Sequence, residues 1–208
     1  MAFHKLTNSG ADWTNGSAYS YDATGLFTTA GGDGLAHLLA VGNDRTYKYY
    51  LFAQLLKMAG LINGTTLDES ILPTEDTRFI CFIPTNSAIA KDIKKIPGCK
   101  SLKVSAAGTI TGTVTGTNKA KLAAYLRNYF ITSGMNTFTT YPYIGSSCKG
   151  LFFTTGNYKM RITDDGSALS VALTDSGQGN TVAVDPEYYY LPFAFTDGCF
   201  HFIDGILL

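Results

Sequence analysis

Three histidines, four cysteines and a handful of turn aspartates are the side chains of this 208-residue chain best suited to chemistry. His4, His37 and His201 are far apart, and only His201 sits inside an ordered pattern, between Phe200 and Phe202. An imidazole held in an apolar strand reads as a structural histidine rather than a general base, and it is expected to turn away from Cys199. Asp204, in the closing turn, is expected to accept backbone N–H bonds rather than attack a substrate. No Ser occupies a Gly-x-Ser-x-Gly elbow, and no carboxylate pair is marked out by its surroundings. The stretch from Asp164 to Asp175 lacks the terminal Glu and the Asp/Asn ladder of a calcium loop. Cys81, Cys99, Cys148 and Cys199 show no C-x-x-C spacing, which argues against zinc. Cys81 lies in an apolar run and reads as a small core residue. Of the three pairings open to four cysteines, Cys99 with Cys148 is the better disulfide candidate, since both fall in predicted loops. Nothing here points to a catalytic residue, a metal or a cofactor.

Recognition chemistry is better represented. Tyr141-Pro142-Tyr143 and Tyr188-Tyr189-Tyr190 place rings and hydroxyls in or near loops, where adjacent residues of an extended chain point opposite ways. Exposed tyrosines of this kind stack on sugars or anchor a protein interface, whereas buried ones cover the ends of a sheet.

The elements that must position these residues follow from pattern. Phe79-Ile80-Cys81-Phe82-Ile83 is five apolar residues long, too short for an independent helix and too apolar for a half-exposed strand. It reads as a strand buried on both faces, ended by Pro84, with Thr85 or Asn86 capping a helix that turns Ala88, Ile89 and Ile93 inward. A helix over 46–59 places Leu51, Leu55 and Met58 on one face, with Gly60 as its C′ residue. Asn118 is expected to cap a second helix whose stripe is Leu122, Tyr125, Leu126 and Tyr129. Between them, the Gly-Thr repeats of 101–117 predict an exposed β-hairpin or a mobile insertion, the hairpin being favoured. From Leu151 the period becomes 2, giving strands at 151–155, 158–163, 168–173 and 181–184 with Gly, Asn and Asp turns between them. Asp197-Gly198 predicts a hairpin leading into a last strand, Cys199 to Ile203, which should lie beside Phe79–Ile83 in the core. Helices first and a meander second imply a mainly β mixed fold, an antiparallel sandwich or wedge with helices on one side.

Residues 1–33 are of different material, rich in Gly, Ser, Thr, Asn and Asp with isolated aromatics and no sustained period, and read as a linker or extended arm. Gly31-Gly32-Asp33-Gly34 lacks the flanking strand and the Gly-Lys of a phosphate loop. The sequons at Asn15 and Asn63 matter only in a eukaryotic secretory pathway. Charged residues are only 15% of the chain, with 16 basic and 16 acidic, so polar surface must come from Thr, Ser, Asn and Tyr. That composition suits an extracellular module, and without a Lys/Arg cluster a nucleic-acid or anionic-membrane partner is not expected. No apolar run approaches the ~20 residues of a membrane span, and no signal-peptide core follows Met1.

Three segments in order resemble the fasciclin-like (FAS1) domain family. Phe79-Ile80-Cys81-Phe82-Ile83-Pro84-Thr85-Asn86-Ser87-Ala88-Ile89 is similar to its T-V-F-A-P-T-N-x-A-F hallmark. Leu126-Arg127-Asn128-Tyr129-Phe130-Ile131 is similar to the L-x-Y-H-V-V box, and Asp197 to Leu208 to the closing N-G-V-I-H-V-I-D-x-V-L-L motif. Ala59-Gly60-Leu61 matches the end of the opening helix, so the resemblance covers 34–208 as one domain. It implies a compact wedge of strands and helices on secreted or surface-anchored proteins, serving cell adhesion or matrix binding, with no cofactor and no catalytic apparatus. The Tyr-His pair linked to adhesion in some members is Asn128-Tyr129 here. The expected function is thus a non-enzymatic adhesion module for a protein or matrix partner, with Asn128, Tyr129, Tyr141, Tyr143, Tyr188, Tyr189 and Tyr190 as interaction candidates. The alternative is a carbohydrate-binding surface protein beside a glycan-uptake system. The low charge would suit a bacterial surface lipoprotein.

Overall fold

The computed structural model describes residues 6–13, 16–21, 38, 44–63, 66–67, 79–132, 150–164, 168–174, 179–185, 193–194 and 198–208. The chain enters through an antiparallel hairpin of β1 (Leu6–Trp13) and β2 (Gly16–Tyr21) where the sequence suggested only an arm. The register shifts between Asn8 and Asp12, and that irregularity interrupts the alternation that would have marked a strand.

Helix α1 (Tyr50–Ala59) begins four residues later than the pattern suggested, because Asp44 ties Thr46 into a turn through bonds to its N–H and hydroxyl. Leu51, Phe52, Leu55 and Leu56 of α1 are buried. Gly60 closes it at φ 75° in the left-handed region, with its N–H on the last carbonyls. A short pair, β3 (Ile62–Asn63) and β4 (Thr66–Leu67), precedes β5 (Phe79–Pro84), every residue of which is buried. Helix α2 (Asn86–Asp92) is capped by Thr85, whose hydroxyl accepts from Ala88 N–H at 3.3 Å. Asn86, the other cap candidate, works at a distance: its carbonyl oxygen accepts from Leu51 N–H at 2.9 Å and its amide donates to the Tyr47 carbonyl at 2.8 Å. It therefore caps α1, which has no capping side chain of its own.

The Gly-Thr segment forms the expected hairpin, β6 (Lys103–Val104) with β7 (Ile110–Thr111). Helix α3 (Gly116–Leu126) starts after Thr115, so Asn118 is inside the helix and not its cap. Leu122, Tyr125, Leu126 and Tyr129 face inward as the spacing required, and the chain passes through a tight turn at Arg127–Tyr129 into β8 (Phe130–Thr132). The meander follows as β9 (Gly150–Phe153), β10 (Lys159–Asp164), β11 (Leu169–Leu173) and β12 (Thr181–Ala183), and the chain ends with β13 (Phe193–Ala194) and β14 (Gly198–Ile203).

Two four-stranded sheets carry the fold, in the orders β13-β14-β5-β8 and β12-β11-β10-β9. β14 lies directly against β5, pairing Phe200 with Cys81 and His201 with Phe82, as the matched apolar runs led one to expect. The pair is parallel, however, so the first sheet is mixed rather than antiparallel throughout. A parallel pair buried on both faces is what uninterrupted apolar strands favour. Gly198 is required at the start of β14, since a Cβ there would lie 2.2 Å from the Phe79 carbonyl oxygen. Bridges Ile131–Thr154 and Val184–Ile203 tie the sheets together beyond β9 and β12, producing the expected wedge. Inside it, Phe79 meets Phe130 and Phe200 with ring centroids 6.3 and 5.8 Å apart, and Phe52 meets Tyr129 at 5.4 Å. Each such ring contributes about 1.5–3 kcal/mol by leaving water.

Candidate functional site

The Asn128-Tyr129 pair is placed by the last turn after α3, and both side chains are buried, 4% and 1% exposed. Thr154 accepts from Tyr158 N–H at 3.1 Å and donates to Asn128 Oδ1 at 2.8 Å, which fixes the orientation of the amide. Gly156 is what lets this turn approach, because a Cβ there would lie 2.1 Å from Asn128 Oδ1. The Tyr129 hydroxyl bonds that of Tyr125 and accepts from Leu207 N–H at 2.9 Å. Desolvation raises both phenol pKa values well above the ordinary range. Asn180 completes the grip on the closing segment: its amide donates to the Ile206 carbonyl at 2.8 Å and its oxygen accepts from Leu208 N–H at 2.7 Å. In this fold, then, the pair packs and bonds the interior. A macromolecular partner could not touch Tyr129 without opening the wedge.

Beside this network, and partly walled by its members, lies a cavity of about 400 Å³ lined by one stripe of α3 and the turn that follows it (Lys121, Ala124, Tyr125 and Asn128), together with Pro97, Gly156, Tyr158, Leu173, Leu207 and Leu208. Its walls are apolar apart from Lys121, Asn128 and the Tyr158 hydroxyl. The residues come from five separate stretches of chain, so no local motif announced it.

A second surface is built by β9 and β10. Met160 and Ile162 of β10 face the core, which turns Lys159, Arg161 and Thr163 outward. On β9, Leu151 and Phe153 are 47% and 43% exposed, opposite Arg161 and Lys159 in the register. The Lys159 ammonium sits 5.8 Å from the Phe153 ring centroid. Arg161 makes no ion pair among the described residues. Three of the four exposed large hydrophobic side chains among the described residues, Leu151, Phe153 and Tyr158, belong to β9 and the turn after it. The signal was present in the sequence as apolar residues on the solvent parity of a strand.

His201 is fully buried and stacks on Phe82 at 5.6 Å, and burial pushes its pKa down to about 3. It does not turn away from Cys199. Residues two apart in a strand share a face, and Cys199 Sγ lies 3.4 Å from its Nε2. Nδ1 finds no partner among the described residues, so this structural histidine is only half satisfied there. Cys99 is a free, buried thiol pushed up to about 11, which does not support its pairing with Cys148. Cys148, Tyr141, Tyr143, Tyr188, Tyr189 and Tyr190 lie outside the described residues. No group of three metal-ligating side chains occurs among the described residues. Nor is any described helix long and apolar enough to cross a membrane.

The wedge, with its central β5–β14 pair and its helices over the aromatic interior, is a fasciclin-like fold. Among solved structures it is similar to a FAS1 domain pair from the insect cell adhesion molecule fasciclin I, at a TM-score of 0.53 and 16% sequence identity. The alignment covers 99% of this chain, which spans 60% of the length of the insect chain. No family model and no curated protein matches the sequence.

Proposed function

We propose that this chain is a non-enzymatic extracellular adhesion or interaction module, and that the outward face of β9 and β10 is its contact surface for a protein or matrix partner. The fasciclin-like fold supports the class. The observation that carries the site is the exposure of Leu151 and Phe153 beside Lys159 and Arg161. Large apolar groups clustered on solvent-facing sheet mark contact surfaces, and two cations beside them select the partner's chemistry. That chemistry is a protein segment presenting carboxylates next to an apolar side chain. Tyr141, Tyr143, Tyr188, Tyr189 and Tyr190 are proposed as further contacts. Adhesion of cells and matrix proteins to beads bearing the chain tests the reading: binding should fall with salt and with Phe153→Ser or Arg161→Glu. Inhibition by free sugars with no response to either substitution would favour glycan binding instead.

A further inference from the structure

The cavity beside α3 meets that surface at Tyr158 but includes none of Leu151, Phe153, Lys159 or Arg161, and has the makings of a small-molecule site. Its volume of about 400 Å³ falls within the range of ligand pockets, which are mainly apolar with a few placed polar groups. Tyr125, Leu173, Leu207 and Pro97 supply the apolar walls. Lys121, on the exposed side of α3, makes no ion pair among the described residues. Asn128 is 4% exposed, and its oxygen is taken by Thr154, yet its NH₂ donates to no group among the described residues. That NH₂ keeps accessible surface although the residue as a whole is buried, and Asn128 belongs to the cavity wall, where a ligand's acceptor can reach the donor. Lys121 and Asn128 are seven residues apart, which at ~1.5 Å per residue separates them by about 10 Å along the same stripe.

We propose that this cavity binds a small organic carboxylate with a flat apolar body and a hydrogen-bond acceptor at its far end. The Lys121 ammonium holds the carboxylate, the walls enclose the body, and the Asn128 NH₂ donates to the distal hydroxyl or carbonyl oxygen. A charge-assisted bond at one end and a neutral one at the other would fix the ligand's direction.

Three probes separate the roles: 4-hydroxycinnamate, cinnamate, which lacks the distal hydroxyl, and 4-hydroxycinnamyl alcohol, which lacks the carboxylate. Titration calorimetry and amide chemical shifts with the whole chain should show saturable binding of 4-hydroxycinnamate and weaker binding of the other two. Lys121→Met, an exposed change expected to leave thermal unfolding unaltered, should weaken 4-hydroxycinnamate about tenfold, the equivalent of one charge-assisted bond, and leave the alcohol unaffected. Ala124→Trp, also exposed, should fill the cavity and abolish binding of all three. Absence of saturable 4-hydroxycinnamate binding up to about 1 mM would overturn the proposal, since affinity at that level reflects no organised site. Lys121→Met binding as tightly as the unsubstituted chain would overturn it equally.

Discussion

At the scale of single residues, His201 makes the sharpest demand on the fold. Its pKa is about 3 in the folded state because of burial, against about 6.5 in an unfolded chain. Below pH 6.5 the unfolded chain takes up a proton that the folded chain refuses. Stability is therefore complete above that pH and lost as pH falls toward 3. Between pH 7 and pH 4 this one group should remove about 3 kcal/mol. His201→Phe, which keeps the stack on Phe82 and removes the unpartnered Nδ1, should flatten that dependence, as urea unfolding at the two pH values will show. An unchanged slope would assign the acid sensitivity to other groups. Tyr129 is the second such residue. Tyr129→Phe strands the Leu207 N–H and the Tyr125 hydroxyl, both buried, and should cost about 1–3 kcal/mol in denaturant unfolding. Tyr125 and Tyr129 were legible as neighbours on one helical stripe, but Leu207 reaches Tyr129 from 78 residues away and only after the chain has closed, so no local pattern announced that bond.

At the scale of elements, the remote cap explains why an Asn follows Pro84-Thr85. Thr85 caps its own helix, whereas Asn86 satisfies the Leu51 N–H and the Tyr47 carbonyl of another. Asn86→Ala should accordingly cost about 1–2 kcal/mol, more than Thr85→Ala, because it frees two backbone groups, whereas Thr85→Ala frees one backbone N–H and the hydroxyl of Ser87, a residue exposed to water. Equal losses in parallel unfolding curves would contradict the remote role. The same residue shows where sequence reasoning stopped: with its cap 35 positions away, α1 offered no local start signal, and its beginning was read too early. β5, β14 and the meander were legible because both-face burial and one-face burial leave different periods in the chain. The β1–β2 hairpin was not, since its register shift breaks the period.

At the scale of the whole molecule, the wedge divides its labour. The β5–β14 pair and its aromatic surroundings hold the fold, and the outward face of β9–β10 is left with apolar groups and cations that packing does not use. The hallmark motifs were legible because they are core sequences, and for that reason they point to the fold and not to the contact surface. Orientation within the central pair was not legible, since an apolar strand reads the same whether its neighbour runs parallel or antiparallel. Nor was the cavity, whose lining comes from Pro97, α3 and the turn after it, Gly156–Tyr158, Leu173 and the closing residues.

We propose the β9–β10 face as the contact surface for a partner. The most direct test of that proposal is the retention of cells and matrix proteins on beads bearing the chain or its Phe153→Ser/Arg161→Glu variant, with matched thermal unfolding as the control. Both side chains face solvent, so the variant should keep its unfolding midpoint and lose most of the retained material. A folded variant that retains as much as the unsubstituted chain would contradict the account.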